Sequence, residues 1–174
     1  ANVSATGQPH YQELFQPIPP GFSHVPFDDI EALKGAITDR TVAVMLEPVQ
    51  AEGGVNIPSE GYLQNVRDFC DENELLLIFD EVQTGIGRLG TLFGYQSFGV
   101  EPDIMTLAKG LTSGYIPMSA SVISEDIWQV LMNGTPEVGV FAHGYTYSAH
   151  PVAAAAALLN RPARPSIRPC TEPI

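Results

Sequence analysis

Residues 74–90 read ELLLIFDEVQTGIGRLG, a stretch in which a short apolar run leads into two carboxylates and then three glycines. The run at 75–79 is continuous rather than alternating, which is typical of a strand buried on both faces of a parallel sheet. Asp80 and Glu81 follow it directly. Parallel sheets bind ligands outside the carboxyl ends of their strands, so these charges are expected beside a binding site.

Similar apolar runs recur on both sides of this stretch and alternate with helical patterns. Strands are predicted at 41–46, 75–79, 103–108 and 118–123. Helices are predicted after a cap at Asp28, after a cap at Ser59, at 92–98, at 125–132 and at 150–159. Residues 1–27 are rich in proline and show no period, so an extended segment without a helix is expected there. The alternation predicts an α/β fold with a mainly parallel sheet and helices on both faces.

Composition narrows the class of protein. The 174 residues are 44% hydrophobic, with 8 basic and 20 acidic residues and a net charge of -12. This acidity argues against nucleic acid or an anionic membrane as a partner. Cys70 and Cys170 have no spacing typical of a disulfide framework or a metal site, and no apolar run approaches the roughly 20 residues of a membrane span. We expect a globular protein of the cytoplasm, without a metal.

Three ionisable residues are expected to meet at one edge of the sheet. Glu47, Asp80 and Lys109 each follow an apolar strand, and we call these three residues the rim. Asp80 and Lys109 would gain little as a simple buried ion pair, because desolvation offsets their attraction. Pyridoxal phosphate (PLP) needs a lysine that bonds to its aldehyde and an acid that keeps its pyridine nitrogen protonated. The rim therefore favours a PLP site.

Gly85, Gly87 and Gly90 offer an alternative, because they match the GxGxxG pattern of dinucleotide-binding proteins. That pattern needs its first glycine directly after the strand, whereas DEVQT intervenes here. Its two carboxylates would also repel a pyrophosphate. A dinucleotide-binding domain remains the remote alternative.

Four stretches together resemble the class III aminotransferases, which are PLP-dependent enzymes of fold type I. They are EPVQAEGGV (47–55), LLIFDEVQTGIGRLG (76–90), PDIMTLAKGL (102–111) and HGYTYSAHPVAAAAAL (143–158). The resemblance covers about residues 5–159. It implies a large domain built on a seven-stranded type of mainly parallel sheet. It also implies transamination by relatives of the acetylornithine, ornithine, 4-aminobutyrate and omega-amino acid:pyruvate aminotransferases.

The resemblance also implies roles for individual residues. Lys109 matches the lysine that forms the Schiff base with PLP and later moves a proton. Asp80 matches the partner of the pyridine nitrogen. Gln83 matches the side chain that hydrogen-bonds the phenolic oxygen of the cofactor, and Val82 matches the apolar residue on the ring face.

Further roles concern the second subunit and the substrate. Thr146 matches a residue that contacts the cofactor phosphate from the neighbouring subunit, so a homodimer is implied. Glu47 matches a glutamate that supports the acids of the cofactor site. Glu52 matches one that pairs with an arginine in several members and swings away for a dicarboxylate. Ala51 precedes it where many members carry glycine, which is a departure from the family pattern.

The chain is expected to be the central part of a longer enzyme. Residues 1–159 are predicted to belong to the PLP-binding large domain, and residues 160–174 to form a proline-rich, disordered tail outside the family pattern. The family also needs a phosphate-binding helix N-terminus, an aromatic stacked on the cofactor, and a small domain with a substrate-binding arginine. None of these is recognisable in the sequence.

Three functions follow from these expectations. The first is transfer of an amino group from an omega-amino acid, a diamine or an acetylornithine-like donor to a keto acid such as pyruvate or 2-oxoglutarate. The second is a PLP decarboxylase or aminomutase of the same fold, which would keep Asp80 and Lys109. The third is an inactive fragment.

Overall fold

The computed structural model describes residues 2–160, which form two compact units that divide between Thr41 and Val42. The first unit contains three short helices: α1 (Asn2–Ala5), α2 (Pro9–Glu13) and α3 (Ile30–Ala36). The expectation of a helix-free segment at 1–27 is therefore wrong. Pro9 lies in the first turn of α2, where its fixed φ favours a helix, and helices this short display no period.

Helix α3 begins one residue later than predicted. Its N-cap is Asp29, whose carboxylate accepts a hydrogen bond from the Ala32 amide at 2.8 Å. Asp28 instead has a φ of 64°, in the left-handed region. Two adjacent aspartates are equally good caps by composition, so the sequence does not distinguish them.

The second unit is built on a four-stranded sheet in the order β1-β2-β3-β4. Its elements are β1 (Ala43–Leu46), α4 (Tyr62–Glu72), β2 (Leu76–Asp80), α5 (Tyr95–Phe98), β3 (Ile104–Leu107), a 3-10 turn (Lys109–Thr112), β4 (Ala120–Ile123), α6 (Glu125–Val138) and α7 (Pro151–Leu159). Strands β1, β2 and β3 are parallel, and β4 is antiparallel to β3. The predicted α/β fold with a mainly parallel sheet is confirmed.

The core of the second unit lies where α4 packs against β2. Val66 and Cys70 of α4 and Leu77 and Phe79 of β2 are fully buried. Side chains alternate along a strand, so Leu77 and Phe79 share one face, and Asp80 lies at the end of the opposite one. The burial of these apolar side chains provides the main favourable free energy for the register of β2. The register in turn determines the position of Asp80.

Further helix boundaries differ from the predictions. The N-cap of α4 is Gly61, with a φ of 83°, and the helix begins at Tyr62 rather than directly after Ser59. Helix α5 begins at Tyr95 rather than near residue 92, and α6 continues to Val138. Of the predicted tail at 160–174, Asn160 is described and is the C-cap of α7, whereas residues 161–174, including Cys170, lie outside the described residues. Within residues 2–160, no helix is long and apolar enough to cross a membrane, and no cluster of side chains is suited to a metal ion.

Candidate active site

The three rim residues lie at the carboxyl ends of three neighbouring strands. Glu47 directly follows β1, Asp80 is the last residue of β2, and Lys109 opens the 3-10 turn two residues after β3. Because β1, β2 and β3 are parallel, their carboxyl ends face the same edge of the sheet. The rim predicted from the sequence is thus assembled by the fold.

The electrostatics of Glu47 show that the rim charges interact. Burial raises the pKa of the Glu47 carboxyl above its ordinary value, and a hydrogen bond from the Ala51 amide at 3.2 Å opposes that shift. The charges of Asp80 and Glu52 raise this pKa further, whereas the ammonium of Lys109 lowers it. The hydrogen bond to Ala51 also ties Glu47 to the turn that carries Glu52.

Asp80 organises the start of the segment that follows β2. Its Oδ1 accepts a hydrogen bond from the Val82 amide at 2.9 Å, which turns the chain so that Val82 and Gln83 lie half-buried beside it. On β3, the residue in register with Asp80 is Thr106. Its hydroxyl is buried and has no hydrogen-bond partner among residues 2–160. A polar group is therefore available next to the carboxylate.

Glu81, to which the sequence assigns no role, is only 1% exposed. One carboxylate oxygen accepts hydrogen bonds from the Thr84 hydroxyl at 2.8 Å and the Gly94 amide at 2.6 Å. The other accepts from the Tyr95 amide at 2.6 Å. Glu81 thus fastens the end of β2 to the start of α5. Two of these donors lie 13 and 14 residues away, so no local spacing signals them.

Lys109 is exposed and borders a cavity of about 560 Å³. The cavity is lined by Ile86, Arg88, Lys109, Gly110, Ser113, Gly114 and Asn160. Its volume is within the range of roughly 300–1,000 Å³ usual for small-molecule sites. Asp80 is not part of this lining.

The structure does not support a simple ion pair within the rim or a dinucleotide site at the neighbouring glycines. Asp80 and Lys109, both within the described part of the chain, do not form an ion pair with each other. The glycines of GIGRLG lie in a series of turns, and the next helix begins at Tyr95 rather than at these glycines. A dinucleotide fingerprint needs a helix N-terminus at that place.

The other two predicted residues lie on exposed segments. Glu52 lies on the tight turn closed by the bridge between Gln50 and Asn56. Thr146 lies in a turn within residues 136–150, which are all exposed, and it does not line the Lys109 cavity. The fold of the described residues therefore brings Glu52 close to the rim charges and leaves Thr146 apart from the cavity.

The donor groups at this edge fit PLP. An exposed primary amine suits an aldehyde, and a half-buried carboxylate suits a protonated pyridine nitrogen. The buried, unpaired hydroxyl of Thr106 beside Asp80 shows that the polar groups at this edge are not satisfied within residues 2–160 alone.

Comparisons with known proteins identify the family of the chain. The family described as aminotransferase class-III matches residues 1–160. The chain is 51% identical over 158 residues to an acetylornithine aminotransferase of Methanocaldococcus jannaschii, covering 91% of this chain and 38% of that protein. It therefore spans well under half the length of this relative.

Solved structures give the same family. An (S)-enantioselective omega-transaminase from Thermomicrobium roseum superposes with a TM-score of 0.83 at 43% identity, covering 91% of this chain and 39% of that one. An ornithine aminotransferase from Toxoplasma gondii, with PLP at partial occupancy in its active site, gives a TM-score of 0.79 at 38% identity and covers 91% of this chain and 36% of that one. The chain belongs to the class III aminotransferases.

Proposed function

We propose that the complete protein containing this segment is a PLP-dependent transaminase. The observation that carries the proposal is the rim, where the Lys109 amine and the Asp80 and Glu47 carboxylates share one edge of a parallel sheet. The donor is an omega-amino acid, a diamine or an acetylornithine-like amine, and the acceptor is a keto acid such as pyruvate or 2-oxoglutarate. The 51% identity to an acetylornithine aminotransferase favours the last of these donors.

The chemistry divides between the cofactor and the chain. When bound, PLP supplies an electron sink that stabilises negative charge on the substrate carbon. Lys109 would hold the cofactor, because its primary amine can condense with the aldehyde with release of water. With the amino substrate bound in its place, the free Lys109 amine would be the base that moves a proton from the substrate α-carbon. Its position at the border of the cavity supports both tasks.

The segment after β2 orients the cofactor ring. The Asp80 carboxylate favours the protonated form of the ring nitrogen. Val82, whose amide donates a hydrogen bond to Asp80, would pack on the ring face. Gln83 would donate a hydrogen bond to the phenolic oxygen. Glu47 would support this arrangement electrostatically, since the charges of Asp80 and Lys109 act on it. Glu52 would be the residue that responds to a dicarboxylate substrate.

The assembly is part of the same proposal. Thr146 is proposed to contact the cofactor phosphate of a second subunit, so the complete enzyme is a homodimer. The exposure of residues 136–150 supports this role, because an exposed segment is free to reach another chain. We also propose that the enzyme acts in the cytoplasm, as the composition predicts.

Reductive trapping tests the proposal directly. The complete protein is mixed with PLP, its visible spectrum is recorded, and the bond to lysine is reduced with borohydride before peptide mapping. We expect the label on Lys109, and complete loss of the label and of amino transfer in Lys109→Ala. Lys34→Ala, at an exposed lysine paired with Glu31, is the control that keeps both. A normal half-reaction in Lys109→Ala would refute the assignment.

Product analysis separates transamination from the decarboxylase and aminomutase alternatives. With a keto acid present, a transaminase converts it to the corresponding amino acid in step with loss of the donor amine. A decarboxylase releases carbon dioxide and an aminomutase returns an isomer of the donor. Either of those products, without amination of the keto acid, would replace the proposed reaction while leaving Lys109 and PLP in place.

A further inference from the structure

The side chain of Asn160 binds the turn that carries Lys109. Asn160 directly follows α7, and its Nδ2 donates hydrogen bonds to the carbonyl oxygen of Gly110 and, at 3.3 Å, to that of Leu111. Its Oδ1 accepts a hydrogen bond from the hydroxyl of Ser113. Both the nitrogen and the oxygen of the Asn160 amide thus form hydrogen bonds with the segment that follows the lysine. Asn160 is about 50 positions away from this segment in sequence.

That turn needs support from outside. Lys109 and Ser113 have φ values of 44° and 51°, in the left-handed region that costs a residue with a side chain roughly 1–2 kcal/mol. Within the turn, the Leu111 amide donates to Ala108 at 2.9 Å and the Ser113 amide to Gly110 at 3.0 Å. Such a conformation persists only where surrounding contacts impose it.

The turn contacts two other parts of the chain. Ile86 lies so near that a Cβ on Gly110 would be 3.2 Å from its Cβ. Asn160 donates hydrogen bonds to the carbonyls of Gly110 and Leu111, which fixes the orientation of the peptide groups just after Lys109. Helix α7 packs against the same turn. Asn160 also lines the cavity that Lys109 borders.

We propose that Asn160 is a positioning residue that holds the Lys109 turn in its left-handed conformation and so sets the direction in which the amine enters the cavity. The proposal rests on the proposed function of Lys109. It adds a residue that acts through the backbone of the lysine turn rather than by contact with the cofactor or substrate.

The test uses the complete protein, first without cofactor and then with PLP. Asn160→Leu removes all three hydrogen bonds at similar size. Asn160→Asp keeps the oxygen that accepts from Ser113. It replaces the donating nitrogen by an oxygen that cannot donate to the carbonyls of Gly110 and Leu111. Asn73→Leu is the matched control, because Asn73 also follows a helix and its Nδ2 donates to a backbone carbonyl, that of Phe69, at 2.8 Å.

Two readouts are measured. In the cofactor-free protein, hydrogen exchange of the Leu111 and Ser113 amides should accelerate about tenfold in both Asn160 variants, as expected from the loss of roughly one net hydrogen bond. On addition of PLP, the rate at which Lys109 is trapped by borohydride should fall about 10- to 100-fold, the scale of a misplaced reacting group. Asn73→Leu should change neither quantity.

The outcomes distinguish the two proposals. Wild-type exchange and trapping rates in the Asn160 variants would overturn the role of Asn160. If Asn160→Leu does not fold, Asn160→Asp decides by the same criteria. If the wild-type protein forms no bond to PLP at Lys109, the proposed function fails, whereas the exchange of the turn amides still shows whether Asn160 holds the turn.

Discussion

At the scale of single residues, the adjacent carboxylates of Asp80 and Glu81 at the end of β2 differ in burial and in hydrogen bonding. Glu81 points into the protein and accepts three hydrogen bonds from fixed donors, so its charge is stabilised by structure. Asp80 accepts a hydrogen bond from the Val82 amide and stays half-exposed at the edge of the sheet. Alternation along the strand places them on opposite faces. Glu81 therefore fixes the loop, whereas Asp80 is the carboxylate proposed to contact the cofactor.

Glu81→Gln should destabilise the complete protein by about 1 to 3 kcal/mol. The substitution replaces one carboxylate oxygen by an amide nitrogen, which cannot accept the hydrogen bonds that this oxygen accepts. The free energy of unfolding in urea measures this loss. Glu74→Gln, at an exposed position after α4, is the matched control and should change it little. An unchanged free energy of unfolding in Glu81→Gln would show that the buried carboxylate does not hold the loop.

Glu47 predicts a dependence of stability on pH. Its pKa is raised in the folded protein, chiefly by burial, so between pH 4.5 and the raised value the folded protein keeps a proton that the unfolded chain has lost. The contribution of Glu47 to the free energy of unfolding is therefore highest below pH 4.5 and falls as pH rises through this window. In the cofactor-free protein, Glu47→Gln should gain stability relative to wild type at pH 7 and lose that gain near pH 4.

Urea denaturation at the two pH values measures this difference, with Glu60→Gln, at an exposed glutamate, as the control. A relative gain that is larger at pH 4 than at pH 7 would contradict the assigned direction of the Glu47 pKa.

At the scale of elements, the turns between β2 and α5 depend on close packing at two glycines. A Cβ on Gly85 would lie 2.7 Å from the carbonyl oxygen of Glu81 and 3.1 Å from a methyl of Leu107. A Cβ on Gly94 would lie 2.7 Å from the Glu81 carboxylate. The glycines that resemble a dinucleotide fingerprint thus include one required by packing against the strand end.

Gly85→Ala should destabilise the complete protein by about 1 to 3 kcal/mol, because the contact is with backbone that cannot move aside. Gly35→Ala in α3 is the contrasting control, since no atom lies within 4 Å of its added Cβ. An alanine in a helix should stabilise by about 0.5 to 1 kcal/mol. Thermal unfolding of both variants measures the contrast, and equal effects would show that space at Gly85 is not limiting.

The sequence predicts the elements whose signals are local and misses those that depend on distant partners. Strands β1, β2 and β3 are predicted because short apolar runs mark them, and the rim follows from their parallel order. The burial of Glu81 depends on amides of residues 94 and 95, and the contacts of Asn160 depend on residues 110–113. Such pairings arise only when the sheet has formed, so spacing along the chain does not indicate them.

At the scale of the whole molecule, one segment exposes large apolar side chains instead of burying them in a core. Between residues 138 and 147, large apolar side chains are exposed: Val138, Val140, Phe141, Tyr145 and Tyr147. An apolar surface of this kind is expected to be covered by another segment or another chain. Thr146 lies within it, which places its proposed phosphate contact in an exposed part of the chain.

Subunit complementation tests this arrangement. Lys109→Ala and Thr146→Asp each inactivate a homodimer, the first by removing the amine and the second by setting a carboxylate against the cofactor phosphate. If Thr146 serves the site of the partner, a heterodimer of the two variants has one site with wild-type Lys109 and wild-type Thr146. Purified doubly tagged heterodimers should then recover about half of the wild-type amino transfer. If Thr146 serves its own subunit, neither site is intact, and the heterodimer stays as inactive as its parents.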